Sequence, residues 1–336
     1  MTIFITGGAG YIGSHILIEL IKQGYDIVIA DNFSNSSPKI IERIKHLTGS
    51  NLLSYNMDLQ DEKKLNMIFA SHKFEAVIHL AGLKVVNKST AVPLKYYSNN
   101  VGSTLSLCRV MQKHDVKKII FSSSATVYSS NNTMPLTESS SVGNCTNPYG
   151  WTKLMCEQIL QDVVSANNDW SLVILRYFNP IGAHKSGKIG ENPLGVPSNL
   201  MPYIAQTAIG LRENISVFGN NYDTPDGTCI RDYIHITDLA KAHIAAIKYV
   251  KSHAGSNIFN IGTGKGTSVL ELINTFERTS GITISKKIVE RRNGDLPICY
   301  TNTQKANQEL GWATKKTIEE ACEDSWRWQK MNPYGI

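Results

Sequence analysis

The chain reads as an α/β protein: a doubly wound parallel sheet with a smaller C-terminal lobe. Two patterns predict this. Short Val/Ile/Leu runs alternate with helical stretches through the first half, as in a parallel sheet covered on both faces. The second half loses that rhythm and is rich in Gly, Pro and Asn between 179 and 227. In order, IFIT at 3–6 is the first strand and 14–21 the first helix. DIVIA at 26–30 is the second strand, followed by a helix at 40–47. Strands at 52–55 and 76–79 flank a helix at 63–71. A helix at 104–114 leads to a strand at 118–121, and a helix at 149–166 to a strand at 172–175. SNIFNI at 256–261 is a late strand that can return to the first sheet. The expected division is therefore 1–179 and 180–336, with the segment around 257–261 going back to the first part. GTGKGT at 262–267 has the wrong spacing for a phosphate-binding P-loop and reads as a turn.

Composition narrows the classes of function. The 336 residues are 42% hydrophobic and 18% charged with a net charge of +6, ordinary for a globular enzyme. The densest basic clusters, Lys286-Lys287 and Arg291-Arg292, are too short for a nucleic-acid groove. Six scattered cysteines without a C-x-x-C pair argue against zinc and against a disulfide framework, and fit a reducing cytoplasm. No metal site is expected. The first strand begins almost at residue 1 with no basic, apolar leader, and no apolar run reaches membrane-spanning length. A cytoplasmic protein with no membrane partner is expected.

The first strand runs into Gly7-Gly8-Ala9-Gly10-Tyr11-Ile12-Gly13 and then a helix. Gly7, Gly10 and Gly13 let backbone pass close to a pyrophosphate, and the new helix offers N–H groups and the positive end of its dipole. A glycine-rich turn alone is weak evidence, but this one follows the first strand of an alternating α/β chain, where a Rossmann dinucleotide site places it. Asp31 ends the second strand roughly 20 residues further on, where an acid can accept the 2′-hydroxyl of an adenosine ribose and repel a 2′-phosphate. That favours NAD over NADP; the plainer role is a turn cap before Asn32. Asp58 could meet the adenine amino group or simply cap the turn after the third strand.

SSSATVY at 122–128 sets hydroxyls at the end of a strand, where open α/β sheets bind ligands. Tyr149 and Lys153, at i and i+4, share one helix face. An unperturbed tyrosine has a pKa of about 10, so a tyrosine base needs a neighbouring positive charge to work at neutral pH. Ser124 can hold a substrate hydroxyl or carbonyl.

The glycine turn, Ser124 and Tyr149-x-x-x-Lys153 resemble the extended short-chain dehydrogenase/reductase family. Further strings are similar to its nucleotide-sugar 4-epimerases over essentially the whole chain: HLAGLK at 79–84, LRYFNP at 175–180, NLMP at 199–202, IRDYIH at 230–235 and RRNGDLP at 291–297. The resemblance implies interconversion of UDP-glucose and UDP-galactose on a tightly held NAD that is recycled. Tyr149 would take the proton of the sugar 4-hydroxyl while C4 gives up hydride; the 4-keto sugar would turn over and receive the hydride on its other face. Lys153 would lower the tyrosine pKa and bind the nicotinamide ribose, and Ser124 would steady the reacting oxygen. It further implies cofactor contacts at Tyr11, Ile12, Asn32, Leu59, Leu80, Lys84, Asn99, Tyr177 and Phe178. UDP contacts would fall at Asn179, Asn199, Leu200, Phe218, Arg231, Tyr233, Arg292 and Asp295. Arg231 and Arg292 suit a pyrophosphate and Asp295 suits ribose hydroxyls, although by spacing alone Arg292 reads as a surface charge. A homodimer through the 104–114 and 149–166 helices is also implied.

Two positions refine the reading. Dehydrating relatives carry an Asp-Glu pair after the serine or threonine of this segment, where this chain has Ala125-Thr126. Glucose-restricted bacterial epimerases tend to have a tyrosine where this chain has Cys299, so space for an N-acetyl group at the sugar 2-position is expected, unless Cys299 is ordinary packing. Two other functions share the motifs. A net-redox nucleotide-sugar dehydrogenase or reductase would consume NAD, and a non-catalytic NAD sensor would have no need of Ser124, Tyr149 and Lys153 together.

Overall fold

The computed structural model describes residues 1–292 and 294–336; Asn293, within the 291–297 string, lies outside the described residues. Strand β1 (Thr2–Thr6) buries Ile3, Phe4 and Ile5 completely. After it come α1 (Tyr11–Lys22), β2 (Asp26–Asp31), α2 (Lys39–Thr48), β3 (Leu53–Asn56), α3 (Glu62–Ser71) and β4 (Ala76–His79). Two helices, α4 (Val86–Ala91) and α5 (Pro93–Lys113), precede β5 (Lys118–Ser124). A 3-10 turn at Ala125–Val127, then α6 (Pro148–Ala166) and β6 (Ser171–Tyr177), complete the first run. The helix expected at 104–114 thus begins at Pro93. Its first turns bury Tyr96, Asn100 and Ser103, polar or amphipathic groups that hide the apolar periodicity.

Beyond β6 the chain forms β7 (Asn179–Ile181), α7 (Leu200–Ala208), β8 (Ile215–Phe218), β9 (Ile230–Arg231), β10 (Tyr233–His235), α8 (Ile236–Tyr249) and β11 (Gly255–Ile261). It ends with β12 (Thr267–Ser268), α9 (Val269–Ser280), β13 (Lys286–Val289), β14 (Ile298–Cys299), α10 (Gln304–Gln308) and α11 (Ile318–Met331). The contacts define two compact units. One comprises Met1–Asn132, Glu138–Tyr177 and Lys241–Phe259; the other comprises Thr133–Thr137, Phe178–Ala240 and Asn260–Ile336. No described helix is long and apolar enough to cross a membrane.

The first unit is built on a seven-stranded sheet in the order β11-β6-β5-β4-β1-β2-β3. The pairings from β3 across to β6 are all parallel. Phe4 belongs to a buried cluster with Leu65, Phe69, Leu107, Met111, Cys156 and Leu160, which brings α3, α5 and α6 onto one face. Strand alternation turns Ile3 and Ile5 to the other face, the one left for α1 and α2, which pack on each other. Strand order reverses between β1 and β4, so the carboxyl ends of these two strands flank the switch point where doubly wound sheets take ligands.

Among the described residues, the second unit holds the small sheets β10-β7, β12-β9-β14 and β13-β8. Its core gathers Met201 and Ile204 of α7, Leu272, Ile273 and Phe276 of α9, and Ala321 and Cys322 of α11. The 262–267 segment is a turn wrapped on a buried carboxylate. Asp232 accepts from the Thr263 N–H and hydroxyl at 2.7 Å each and from the Gly264 N–H at 3.0 Å.

Candidate active site

At the switch point in the first unit, Gly7 has φ +70°, and a Cβ there would come within 2.8 Å of the Ala81 nitrogen. Gly13, on the first turn of α1, would put a Cβ 2.5 Å from the Gly7 carbonyl oxygen. Both positions need glycine because backbone, which cannot step aside, fills the space. Gly10 sits at the N-cap of α1, where no side chain caps the helix and no acidic residue occupies the first turn. The end of α1 therefore keeps its positive character for an anion. Asp31 is buried, with one carboxylate oxygen accepting from the Ala9 N–H at 2.9 Å. Its other oxygen accepts from the Phe33 N–H and the Ser36 hydroxyl, both at 2.9 Å. It thus both fixes the glycine turn and closes its own turn. A dinucleotide fits this cradle: the glycines clear the backbone for the pyrophosphate, and Asp31 stands where a ribose diol would be read.

The other expected cofactor residues are spread over the unit. Asn32 and Asp58 are exposed and close local turns, accepting from the Ser34 and Gln60 N–H groups. The cap of α3 is Asp61 rather than Asp58. Leu59 is buried, Tyr11, Ile12, Leu80 and Asn99 are half-buried, and Lys84 is exposed. Tyr177 is buried with its hydroxyl on the His243 ring. Phe178 is buried and belongs to the second unit.

The catalytic candidates gather at the ends of β5 and α6. Asn147 caps α6 by accepting from the Gly150 N–H at 2.9 Å, and Pro148 pre-sets the first turn. This fixes where Tyr149 stands, with the Ser124 side chain near enough to its phenol to pull the phenol pKa down. Burial pushes the phenol up to about 12, against the pull of Ser124. One turn on, Lys153 is 6% exposed and its Nζ donates to the Ser122 carbonyl at 2.7 Å. It lies 6.0 Å from the Tyr149 ring centre, and burial lowers its ammonium to about 8. Ser124 opposes burial at Tyr149, while the Lys153 ammonium, also desolvated, is anchored on the Ser122 carbonyl beside the Tyr149 ring.

Two networks behind this centre were not singled out from the sequence. The Asn100 amide accepts from the Leu83 N–H at 2.7 Å and donates to the Thr152 hydroxyl at 2.9 Å, tying the loop before α4 to α6. Arg176 forks onto Glu157 with bonds of 3.0 and 2.7 Å, and the Ser123 hydroxyl donates to the same carboxylate at 2.5 Å. Asn100 beside Asn99, and Arg176 as the one charge in the apolar strand β6, were the available signals.

The second unit assembles the remaining candidates. Parallel pairing of β14 with β9 sets Cys299 beside Arg231, and pairing of β10 with β7 sets Tyr233 beside Asn179. Tyr233 is buried, and burial pushes its phenol up. Arg292 bonds Asp295 through Nε at 2.8 Å and Nη2 at 3.2 Å, with its guanidinium 4.6 Å from the Phe218 ring centre. Arg231 approaches the same carboxylate at 3.7 Å and donates to the Leu296 carbonyl at 2.7 Å. Two guanidinium groups against one carboxylate leave a cationic cluster, suited to a phosphate-bearing ligand. Arg292, a surface charge by spacing alone, is thereby fixed in the cluster. Asp295 spends both oxygens on arginines. Asn199 and Leu200 open α7.

Residues 3–262 match the model of the NAD dependent epimerase/dehydratase family. Over 335 residues the chain is 53% identical to the UDP-glucose 4-epimerase of Bacillus subtilis, covering 100% of this chain and 98% of that protein. It is 49% identical over 340 residues to the UDP-glucose 4-epimerase of Homo sapiens, with 99% and 98% covered. Among solved structures, the UDP-glucose 4-epimerase of Bifidobacterium longum in complex with NAD+ and UDP aligns with a TM-score of 0.97 at 49% identity, with 100% of each chain covered.

Proposed function

We propose that this chain, which belongs to the NAD-dependent epimerase/dehydratase family, is an isomerase that interconverts UDP-glucose and UDP-galactose at sugar C4. The observation that carries the reading is Ser124 at the end of β5 beside the Tyr149 phenol, with Lys153 one turn along α6 and its Nζ 6.0 Å from the Tyr149 ring centre. When bound, NAD supplies a hydride acceptor that gives back what it takes. Tyr149 takes the proton of the 4-hydroxyl and later returns it. Ser124 holds the reacting oxygen, and Lys153 supplies the nearby positive charge. Arg231 and Arg292 bind the diphosphate. Because proton and hydride both return, the net reaction is redox-neutral.

The same reading includes the N-acetylated pair. Cys299 is small and lies beside Arg231 in the cationic cluster, so UDP-N-acetylglucosamine and UDP-N-acetylgalactosamine are expected to interconvert as well. Proton NMR of the anomeric region, with purified protein and no added cofactor, tests both statements. Conversion of both substrate pairs is the expected result. Stoichiometric consumption of added NAD would replace the epimerase reading with a net-redox enzyme. Cys299→Tyr is expected to retain UDP-glucose turnover and to lose most N-acetyl turnover; full N-acetyl turnover in that variant would refute the role of Cys299.

A homodimer belongs to the reading too. Leu94 on α5 is 82% exposed and Met155 on α6 is 41% exposed, apolar area suited to a partner copy. Light scattering should give twice the chain mass, and a monomer at working concentration would exclude this.

A further inference from the structure

In the second unit, the segment before Glu191 is fastened to α11. Gly190 lies so close to the Trp328 indole that a Cβ there would run into the ring. The Trp328 Nε1–H donates to the Glu191 carbonyl at 3.1 Å, and Trp328 is buried. The backbone of Glu191 is thereby fixed, and its side chain reaches Asn199, whose Nδ2 donates to Oε1 at 2.6 Å. Asn199 is the N-cap residue of α7, with extended φ/ψ of −93° and 150°, yet its side chain makes no capping bond. An asparagine at this position ordinarily caps by accepting from the N2 or N3 N–H. Here N3 is Pro202, which has no N–H, and the amide is drawn to Glu191 instead. A carboxylate can only accept, so the amide nitrogen must face Glu191 and the Asn199 oxygen must face away.

We propose that Glu191 is a positioning residue for the nucleotide-sugar site: it pulls the Asn199 amide off the end of α7 and fixes which edge of that amide the UDP moiety meets. This rests on the reading of Asn199 as a substrate contact. Without Glu191, Asn199 swings back to cap the N2 N–H, and its contact with UDP is lost. With glutamine at 191, the side-chain oxygen still accepts and the arrangement is largely kept.

The test is UDP binding by titration calorimetry on the holoenzyme, together with KM and kcat for UDP-glucose. Glu191→Ala is expected to raise the UDP Kd and the KM by about fivefold to tenfold, the size of one lost neutral hydrogen bond, with kcat within about twofold. Glu191→Gln should stay within about twofold of the parent. Combining Glu191→Ala with Asn199→Ala should cost no more than Asn199→Ala alone, because both changes remove the same contact. A melting temperature and an NAD content like the parent's would exclude a damaged fold. If Asn199→Ala weakens UDP but Glu191→Ala does not, or if the two effects add, the positioning role is wrong. If Asn199→Ala itself binds UDP normally, the substrate reading of Asn199 fails and the proposal falls with it.

Discussion

Tyr149→Phe is expected to reduce turnover by about a thousandfold, while leaving cofactor content and UDP affinity close to those of the parent. The change removes one oxygen and keeps the ring that packs at the start of α6. What it removes is the proton acceptor of the proposed reaction, and a positioned acid or base contributes roughly 10²–10⁴ in rate. The balance at this residue explains why the loss should be well above the lower end. Tyr149 is half-buried and its phenol is pushed up to about 12, so water is a poor substitute for the positioned oxygen. Ser124→Ala should cost less, about tenfold, because it removes the hydroxyl that opposes burial at Tyr149 without removing the base. Lys153 sets the pH dependence. With its ammonium lowered to about 8, it loses positive charge as pH rises through that value, and turnover should fall there unless bound ligands shift it. The measurement is kcat by NMR, beside the absorbance of retained cofactor. A Tyr149→Phe enzyme with more than a tenth of parental turnover would remove Tyr149 from the chemistry.

The α/β order, the glycine turn and the Tyr149/Lys153 face were legible because each is a local pattern. A helix repeats every 3.6 residues, a strand alternates every 2, and a turn against backbone demands glycine. Gly13 shows this well: its spacing gives the dinucleotide reading, and the Gly7 carbonyl 2.5 Å from a would-be Cβ is the physical cause. The start of α5 was hidden because its buried face is polar there. The second unit was harder to read because its strands are short and paired across long stretches of sequence. Cys299 meets Arg231 only through the β14–β9 pairing. The bond between Glu191 and Asn199 depends on where α11 lies, which no local pattern encodes.

That Glu157 and Arg176 meet was hidden for the same reason, and they lead to the largest expected effect on stability. Glu157 lies on α6 one turn beyond Lys153, Arg176 lies on β6, and their side chains are 0% and 3% exposed. The carboxylate takes two bonds from the guanidinium and one from Ser123 on β5, so a single group ties the catalytic helix to two strands. Arg176 also sits 4.8 Å from the Tyr128 ring centre. Arg176→Met should destabilise the protein by about 3–5 kcal/mol, because it leaves Glu157 buried without a counter-charge. A fall in melting temperature of roughly 10 °C would register this. The double variant Arg176→Met with Glu157→Leu is expected to recover most of that loss, since two apolar side chains can replace a buried pair at little net cost. The tie itself is not recovered. If it holds α6 in register with β5, the double variant should melt near the parent yet turn over more slowly, through a less well placed Tyr149. Equal turnover at equal stability would mean that packing alone places the helix, and that the pair serves only to neutralise itself.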